Sequence, residues 1–174
     1  MHHTTTQKIR LTLALLAIVS LPFFTMGQAT SLQKKEVELF CGSWTGSLTY
    51  LDYSSGKPYT MPAKTQINFL SKGNGLQVKM IYPDEPKANG IDTILLDAQG
   101  QKWDGDALVQ KRVLADGNLE IITERQGRDG NDNKAATIRK TITIGPKVYV
   151  SRKDVKFIGT DQWIQRHEYR YAKD

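Results

Sequence analysis

The sequence predicts an all-β fold, a single antiparallel up-and-down β-barrel of about eight to ten strands with a short N-terminal helix after a signal peptide. Short segments in which apolar and polar residues alternate follow one another from residue 44 onward, and alternation with period two is typical of strands that bury one face. Turn residues separate these segments, with no helix-length periodic segment between them. Because the turns join neighbouring strands without a long crossover, a closed barrel is favoured over a two-sheet sandwich.

Residues 1–27 have the layout of a secretory signal peptide. Lys8 and Arg10 precede an almost unbroken apolar stretch, and small and polar residues follow it. The apolar stretch is shorter than the roughly 20 residues needed to cross a bilayer core. We therefore expect cleavage near Gly27 or Ala29, a periplasmic or secreted mature protein, and no stable membrane anchor after cleavage.

The composition restricts the class of partner. Cleavage after Gly27 removes two basic residues and no acid, so the formal net charge falls from +6 to +4. The remaining lysines and arginines are scattered among acids, which argues against nucleic acid as a partner. Cys41 is the only cysteine, so no intramolecular disulfide can form, and we interpret it as a small buried side chain. The sequence does not indicate an oligomeric state.

Residues 31–40 form the only helix predicted in the mature chain. Ser31 can cap this helix, and Gly42 follows its end. We expect residues 28–42 to form a short helical lead-in, and residues 43–174 to form the barrel.

Nine strands are predicted after the helix, each rich in β-branched or aromatic residues and bounded by turn residues such as those of Asp116-Gly117. The predicted strands are residues 44–53, 60–71, 76–82, 91–98, 107–115, 119–126, 136–144, 147–157 and 162–171. The polar segment 127–134 is predicted to be a flexible connection. Its acidic residues lack the ligand spacing of a calcium loop, so no metal site is predicted there.

Gly42-Ser43-Trp44-Thr45-Gly46, at the start of the first predicted strand, resembles the opening motif of lipocalin-like (calycin-type) β-barrels of exported proteins. In that superfamily the tryptophan packs across the barrel base under an arginine from the last strand. The resemblance implies that Trp44 and Arg170 close the base, with the guanidinium stacked on the indole. It also implies that the barrel binds a small, apolar or aromatic ligand without covalent chemistry. The candidate ligand-binding residues are Tyr50, Phe69, Met80, Trp103, Trp163, His167 and Tyr169.

The longer pattern Gly-x-Trp-x-Gly is also similar to the opening of nitrobindin-like haem-binding barrels, in which a histidine near the end of the chain ligates the iron. His167 is the only histidine after the signal segment, and it shares a strand face with Tyr169 and Tyr171. The resemblance implies haem as an alternative cofactor. We otherwise expect no cofactor, and a structural histidine.

Charged residues within the predicted strands leave two alternatives open. If Glu120, Glu124, Arg139 and Arg152 face inward, they form a polar pocket for an anionic ligand or for acid–base catalysis. If they face outward, they form a salt-bridge lattice, which we favour because charges usually lie in water. One histidine and one cysteine cannot form an ordinary zinc site, and the chain has no nucleophile elbow or phosphate loop, so no catalytic residues are predicted. A structural or interaction module with a filled core is the remaining alternative.

Overall fold

The structure is a computed structural model that describes residues 30–52 and 55–174. It confirms the predicted fold class, because ten antiparallel strands form a single barrel-like sheet. The predicted signal peptide and its cleavage site lie outside the described residues. In the part of the chain that is described, no helix has both the length and the apolar character needed to span a membrane.

The N-terminal helix, α1 (Lys34–Glu38), is shorter than predicted and is capped by Gln33 instead of Ser31. The backbone N–H of Gln33 donates to the Glu36 carboxylate at 2.7 Å. Residues 31 and 32 do not belong to the helix, because they pack against the barrel. The Lys111 ammonium donates to the Ser31 carbonyl at 2.6 Å, and the Leu32 N–H donates to the Gly100 carbonyl at 2.8 Å.

The ten strands follow one another as an up-and-down meander. They are β1 (Gly42–Leu51), β2 (Pro58–Phe69), β3 (Gly75–Ile81), β4 (Gly90–Leu95), β5 (Lys102–Trp103), β6 (Asp106–Val113), β7 (Leu119–Asp129), β8 (Lys134–Ile144), β9 (Val148–Phe157) and β10 (Ile164–Lys173). Strand β1 pairs with β10, so the first strand is joined to the last. The join between β4 and β5 is short, because it consists of a bridge between Leu96 and Trp103 and a hydrogen bond from Asp104 N–H to the Leu95 carbonyl. The barrel is therefore nearly closed. We call the short contact between β4 and β5 the seam.

Two features differ from the sequence-based expectation. Strand β5 is absent from the prediction because its two residues are too few to show alternation. Segment 127–134 is not a long flexible connection, since β7 continues to Asp129 and β8 begins at Lys134. The polar composition of this segment predicted a loop. The inward-facing Asp129 is nevertheless compatible with a strand, because it pairs with the cations Lys153 and Arg166.

Aromatic side chains fill the end of the barrel at which β1 begins, which we call the base. Trp44 is fully buried, and its indole N–H donates to the Phe40 carbonyl at 2.8 Å. Phe40 packs in turn against Trp103 and Tyr149, with ring centroids 4.8 and 5.4 Å away. The short helix therefore delivers Phe40 to cover the base.

Gly46 has a steric role in closing the barrel. A Cβ atom at this position would collide with the backbone carbonyl of Arg170 on the paired strand β10. The second glycine of the Gly-x-Trp-x-Gly pattern thus permits the close approach of the first and last strands.

The cation above Trp44 is Lys173, so the prediction that Arg170 closes the base is wrong. The Lys173 ammonium lies 4.5 Å from the centroid of the Trp44 ring and donates to the Cys41 carbonyl at 2.6 Å. Trp44 is directly opposite Lys173 in the β1–β10 ladder, and alternation then turns Arg170 to the outer face. There Arg170 pairs with Glu168 at 2.9 Å.

We expect Lys173→Met to lower the free energy of unfolding by about 1 to 2 kcal/mol, because it removes a cation–π contact and a charge-assisted hydrogen bond. The matched variant Arg170→Met removes a cation of the same strand from an exposed ion pair, so its effect should stay within about 0.5 kcal/mol. Urea unfolding followed by circular dichroism measures both. Equal losses in the two variants would show that Lys173 does not seal the base.

Candidate ligand cavity

A cavity of about 230 Å³ lies inside the barrel, between the base and the opposite end, which we call the upper end. Its apolar and aromatic wall consists of Val78, Met80, Ile94, Trp103, Ile142, Tyr149, Tyr169 and Tyr171. Its polar wall consists of Thr65, Asp92, Asp104, Lys140, Ser151 and His167. The cavity lies against the seam, because its lining includes Asp92 and Ile94 of β4 and Asp104, which follows β5. The barrel core is therefore not completely filled by side chains.

The strand register arranges the inner face of β8, β9 and β10 in three layers. Each layer holds one residue from each strand in direct opposition. From the upper end toward the base the layers are Lys140–Lys153–His167, Ile142–Ser151–Tyr169 and Ile144–Tyr149–Tyr171. The upper layer is polar and the lowest is apolar and aromatic, so this wall is amphipathic along the barrel axis.

Stacked tyrosines form one side of the cavity. The rings of Tyr149 and Tyr171 are 5.6 Å apart, and those of Tyr171 and Tyr169 are 5.8 Å apart with an interplanar angle of 12°. The hydroxyl groups of Tyr169 and Tyr82 share a hydrogen bond of 2.8 Å. Burial raises the pKa of Tyr149 to about 12 and raises the pKa values of Tyr169 and Tyr171 as well. This side is consequently an uncharged aromatic surface at neutral pH.

A β-bulge in β10 brings His167 into the cavity. The register with β9 shifts between Gln165 and His167, so Arg166 and His167 both point into the barrel. Burial, followed by the positive charges of Lys153 and Lys140, lowers the pKa of His167 to about 4. The imidazole is therefore neutral at pH 7, with one nitrogen that donates and one that accepts.

A buried ion cluster, made of Asp129, Lys153 and Arg166, lies on the upper side of His167. The Asp129 carboxylate is 2.9 Å from the Arg166 guanidinium and 2.5 Å from the Lys153 ammonium. Burial alone would raise the pKa of the Asp129 carboxyl, but the hydrogen bond and charge of Lys153, with the Gly130 N–H and the charge of Arg166, lower it overall. Asp129 is therefore ionised at neutral pH and compensates two cations at this end of the cavity.

Lys140 provides a further cation in the same layer, directly opposite Lys153 in the β8–β9 ladder. Its ammonium lies 3.5 Å from the Asp106 carboxylate and 3.7 Å from the Asp104 carboxylate. The other oxygen of Asp106 is 3.2 Å from the Arg125 guanidinium. Lys140 is therefore flanked by two acids.

The structure brings together four of the seven predicted ligand-binding residues. Met80, Trp103, His167 and Tyr169 line the cavity. Tyr50 lies nearer the upper end and packs against Tyr59.

Phe69 and Trp163 lie away from the cavity. Phe69 is 41 % exposed at the end of β2 near the base, where the sheet leaves it partly uncovered. Trp163 precedes β10 instead of lying within it, and its ring packs on the outer face 4.1 Å beneath the Arg139 guanidinium. Phe69 is the last residue of β2, and Trp163 immediately precedes β10. Alternation of apolar and polar residues defines such strand ends poorly.

Sequence reasoning missed Tyr149, Lys140 and Asp129 as parts of the site, and it placed Tyr171 on the strand face of His167 without naming it as a candidate ligand-binding residue. Alternation on β9 could have indicated Tyr149, because it shares a strand face with Ser151, which also lines the cavity. No comparable signal distinguishes Lys140 or Asp129 from the charges of the outer face.

The Glu and Arg set forms an outer-face lattice and takes no part in the cavity. Arg112 pairs with Glu120 and Arg139 pairs with Glu124, each at 2.7 Å, across neighbouring strands. Arg152 pairs with Asp154 on β9 at 2.8 Å. The structure thus has the outward-facing salt-bridge lattice that we favoured and not the inward-facing polar pocket. Among the described residues, no group of three or more His, Cys, Asp or Glu side chains is placed to hold a metal ion.

No protein-family model and no curated protein sequence matches this chain.

The residues around the cavity do not fit haem. Neutral His167 has the protonation state of an iron ligand. However, the cavity volume of about 230 Å³ lies below the range of about 300 to 1,000 Å³ that is usual for pockets of drug-sized ligands, and haem is a large molecule on that scale. Tyr169 also packs beside the imidazole, with ring centroids 5.6 Å apart, where a porphyrin would need space.

Proposed function

We propose that this protein is an exported, lipocalin-like barrel that binds a small molecule in its cavity and performs no covalent chemistry on it. The observation that carries the proposal is the cavity itself. A concave, largely apolar space with a few convergent polar groups is the usual form of a small-molecule site. Export is supported by the signal-peptide layout of residues 1–27 and places the protein in the periplasm or outside the cell.

The lipocalin-like part of the proposal is supported by the base of the barrel. Trp44 opens the first strand, lies fully buried across the base, and is covered by a cation from the last strand. Lys173 takes the place that an arginine has in the superfamily, and its cation–π contact with the indole serves the same purpose.

The ligand is small, with an apolar or aromatic body. Trp103, Met80 and Ile142 line the cavity together with the uncharged tyrosine stack. A planar apolar body covers these surfaces without leaving a buried polar group unpaired.

A neutral aromatic probe, 2-naphthol, tests the proposal through its own fluorescence. We expect the wild-type protein to bind it and Met80→Trp to weaken binding at least tenfold, because the larger side chain fills the cavity. Lys79→Trp is the matched control, since Lys79 is the exposed neighbour of Met80 on the outer face of β3, and its affinity should stay within twofold. Absence of binding to the folded wild-type protein, or equal affinity in Met80→Trp, would contradict the proposed function.

A further inference from the structure

We infer that the polar group of the ligand is uncharged and carries both a hydrogen-bond donor and an acceptor, as a carboxamide or an alcohol does. The inference rests on the proposed function and specifies the chemistry of the ligand at the upper, polar part of the same cavity.

The cations in and beside the polar part of the cavity already have acidic partners. Lys140 lies beside Asp104 and Asp106, and Lys153 and Arg166 share Asp129. A charged ligand would add one uncompensated charge to this set. Since a buried charge without a partner costs far more than a buried polar group that is hydrogen-bonded, a neutral ligand is favoured.

Lys140 is the cation that a carboxylate ligand would be expected to approach, but its two acids oppose such an anion. The ammonium lies 3.5 Å from Asp106 and 3.7 Å from Asp104. An anion at Lys140 would therefore lie beside carboxylates that already compensate the ammonium, whereas a neutral carbonyl or hydroxyl oxygen can accept a hydrogen bond from the ammonium without that repulsion. A cationic ligand would meet the ammonium groups of Lys140 and Lys153, which lie next to each other in the β8–β9 ladder.

A donor on the ligand is favoured by an acceptor in the cavity wall. The Asp104 carboxylate lines the cavity and lies 3.7 Å from the Lys140 ammonium, which is beyond hydrogen-bond distance. A ligand group that donates to Asp104 would form a charge-assisted hydrogen bond.

His167 also favours a ligand group that can either donate or accept a hydrogen bond. No hydrogen bond to its imidazole occurs within the described part of the chain, although the ring lines the cavity. The lowered pKa keeps the ring neutral at pH 7, so it offers one donor and one acceptor. A carboxamide or an alcohol can pair with either nitrogen, whereas a carboxylate can only accept and an ammonium can only donate.

Titration calorimetry with three ligands that share one ring provides the test. We expect benzamide to bind the wild-type protein at pH 7.5 at least tenfold more tightly than benzoate or benzylamine. If 2-naphthol binds but benzoate or benzylamine binds as tightly as benzamide, the inference is overturned and the proposed function stands. If 2-naphthol and all three ligands fail to bind, the proposed function fails, and the inference fails with it.

His167 variants test the imidazole contact separately. His167→Gln keeps a neutral donor and acceptor, so benzamide affinity should stay within about threefold of the wild-type value. His167→Leu should lower benzamide affinity about tenfold without weakening the binding of toluene, which has no polar group. Retained toluene binding also shows that the cavity is intact in this variant. Equal benzamide affinity in His167→Leu and His167→Gln would overturn the part of the inference that assigns His167.

Discussion

Replacement of Asp129 by asparagine is expected to lower the free energy of unfolding by about 3 to 5 kcal/mol, because it removes a buried carboxylate that compensates two cations, of which Arg166 is itself buried. The Asp129 side chain is only 6 % exposed, and its carboxylate contacts both Lys153 and Arg166. Arg166 is itself 9 % exposed, so water cannot replace the lost carboxylate easily. The neutral amide of asparagine can accept a hydrogen bond from one cation but supplies no charge to either.

Asp132 provides the matched control in the same hairpin. It pairs with Lys134 at 2.9 Å, but both side chains are more than 60 % exposed. Asp132→Asn should therefore change the free energy of unfolding far less than Asp129→Asn does, because solvent screens the exposed ion pair. Urea unfolding at pH 7 measures both variants. A loss in Asp129→Asn no larger than that in Asp132→Asn would show that the buried ion cluster does not stabilise the fold.

Alternation and turn residues were sufficient to predict the barrel. Nine of the ten strands carry at least part of an apolar–polar pattern, and glycine at turns such as Gly117, with φ of 81°, ends them as expected. The resemblance of the motif around Trp44 to lipocalin-like barrels also implied that the first strand meets the last. These features are local or repeat along the chain, so one sequence contains them.

Inward-facing polar residues could not be predicted in the same way, because their direction depends on register. A shift of one residue moves every side chain of a strand to the other face. Arg170 and Lys173 lie three positions apart and therefore on opposite faces of a regular strand, so only the pairing of Trp44 with Lys173 decides which cation covers the base. The bulge that directs Arg166 and His167 inward has no signature in the sequence.

The environments of individual charged residues could not be predicted from the local sequence either. Lys140 and Arg139 are adjacent in the chain, yet Lys140 lines the cavity and Arg139 lies in the outer lattice. Each cation has an acidic partner that is distant in sequence, so neither its environment nor its partner follows from local pattern. The polar half of the cavity is consequently a product of tertiary pairing, whereas its aromatic half follows from alternation.

Stability should fall by about 2 kcal/mol between pH 7.5 and pH 5 through His167 alone. The pKa of His167 is lowered from 6.5 to about 4 in the folded protein, and its ordinary value applies when the chain is unfolded. At pH 7.5 both states are neutral, so the residue contributes nothing. Between pH 6.5 and pH 4 the unfolded state binds the extra proton, and stability decreases as the pH falls. Below pH 4 both states are protonated, and the loss reaches its limit.

His167→Gln isolates this contribution, because other groups titrate alike in both proteins. Urea unfolding of the wild-type and variant proteins at pH 7.5 and pH 5 should show a loss about 2 kcal/mol smaller in the variant. The imidazole C–H signals of His167 in NMR spectra should also move with a midpoint near pH 4. A midpoint near pH 6.5 with equal losses in the two proteins would place the imidazole in water, and it could not then be the neutral donor and acceptor that the cavity presents to a ligand.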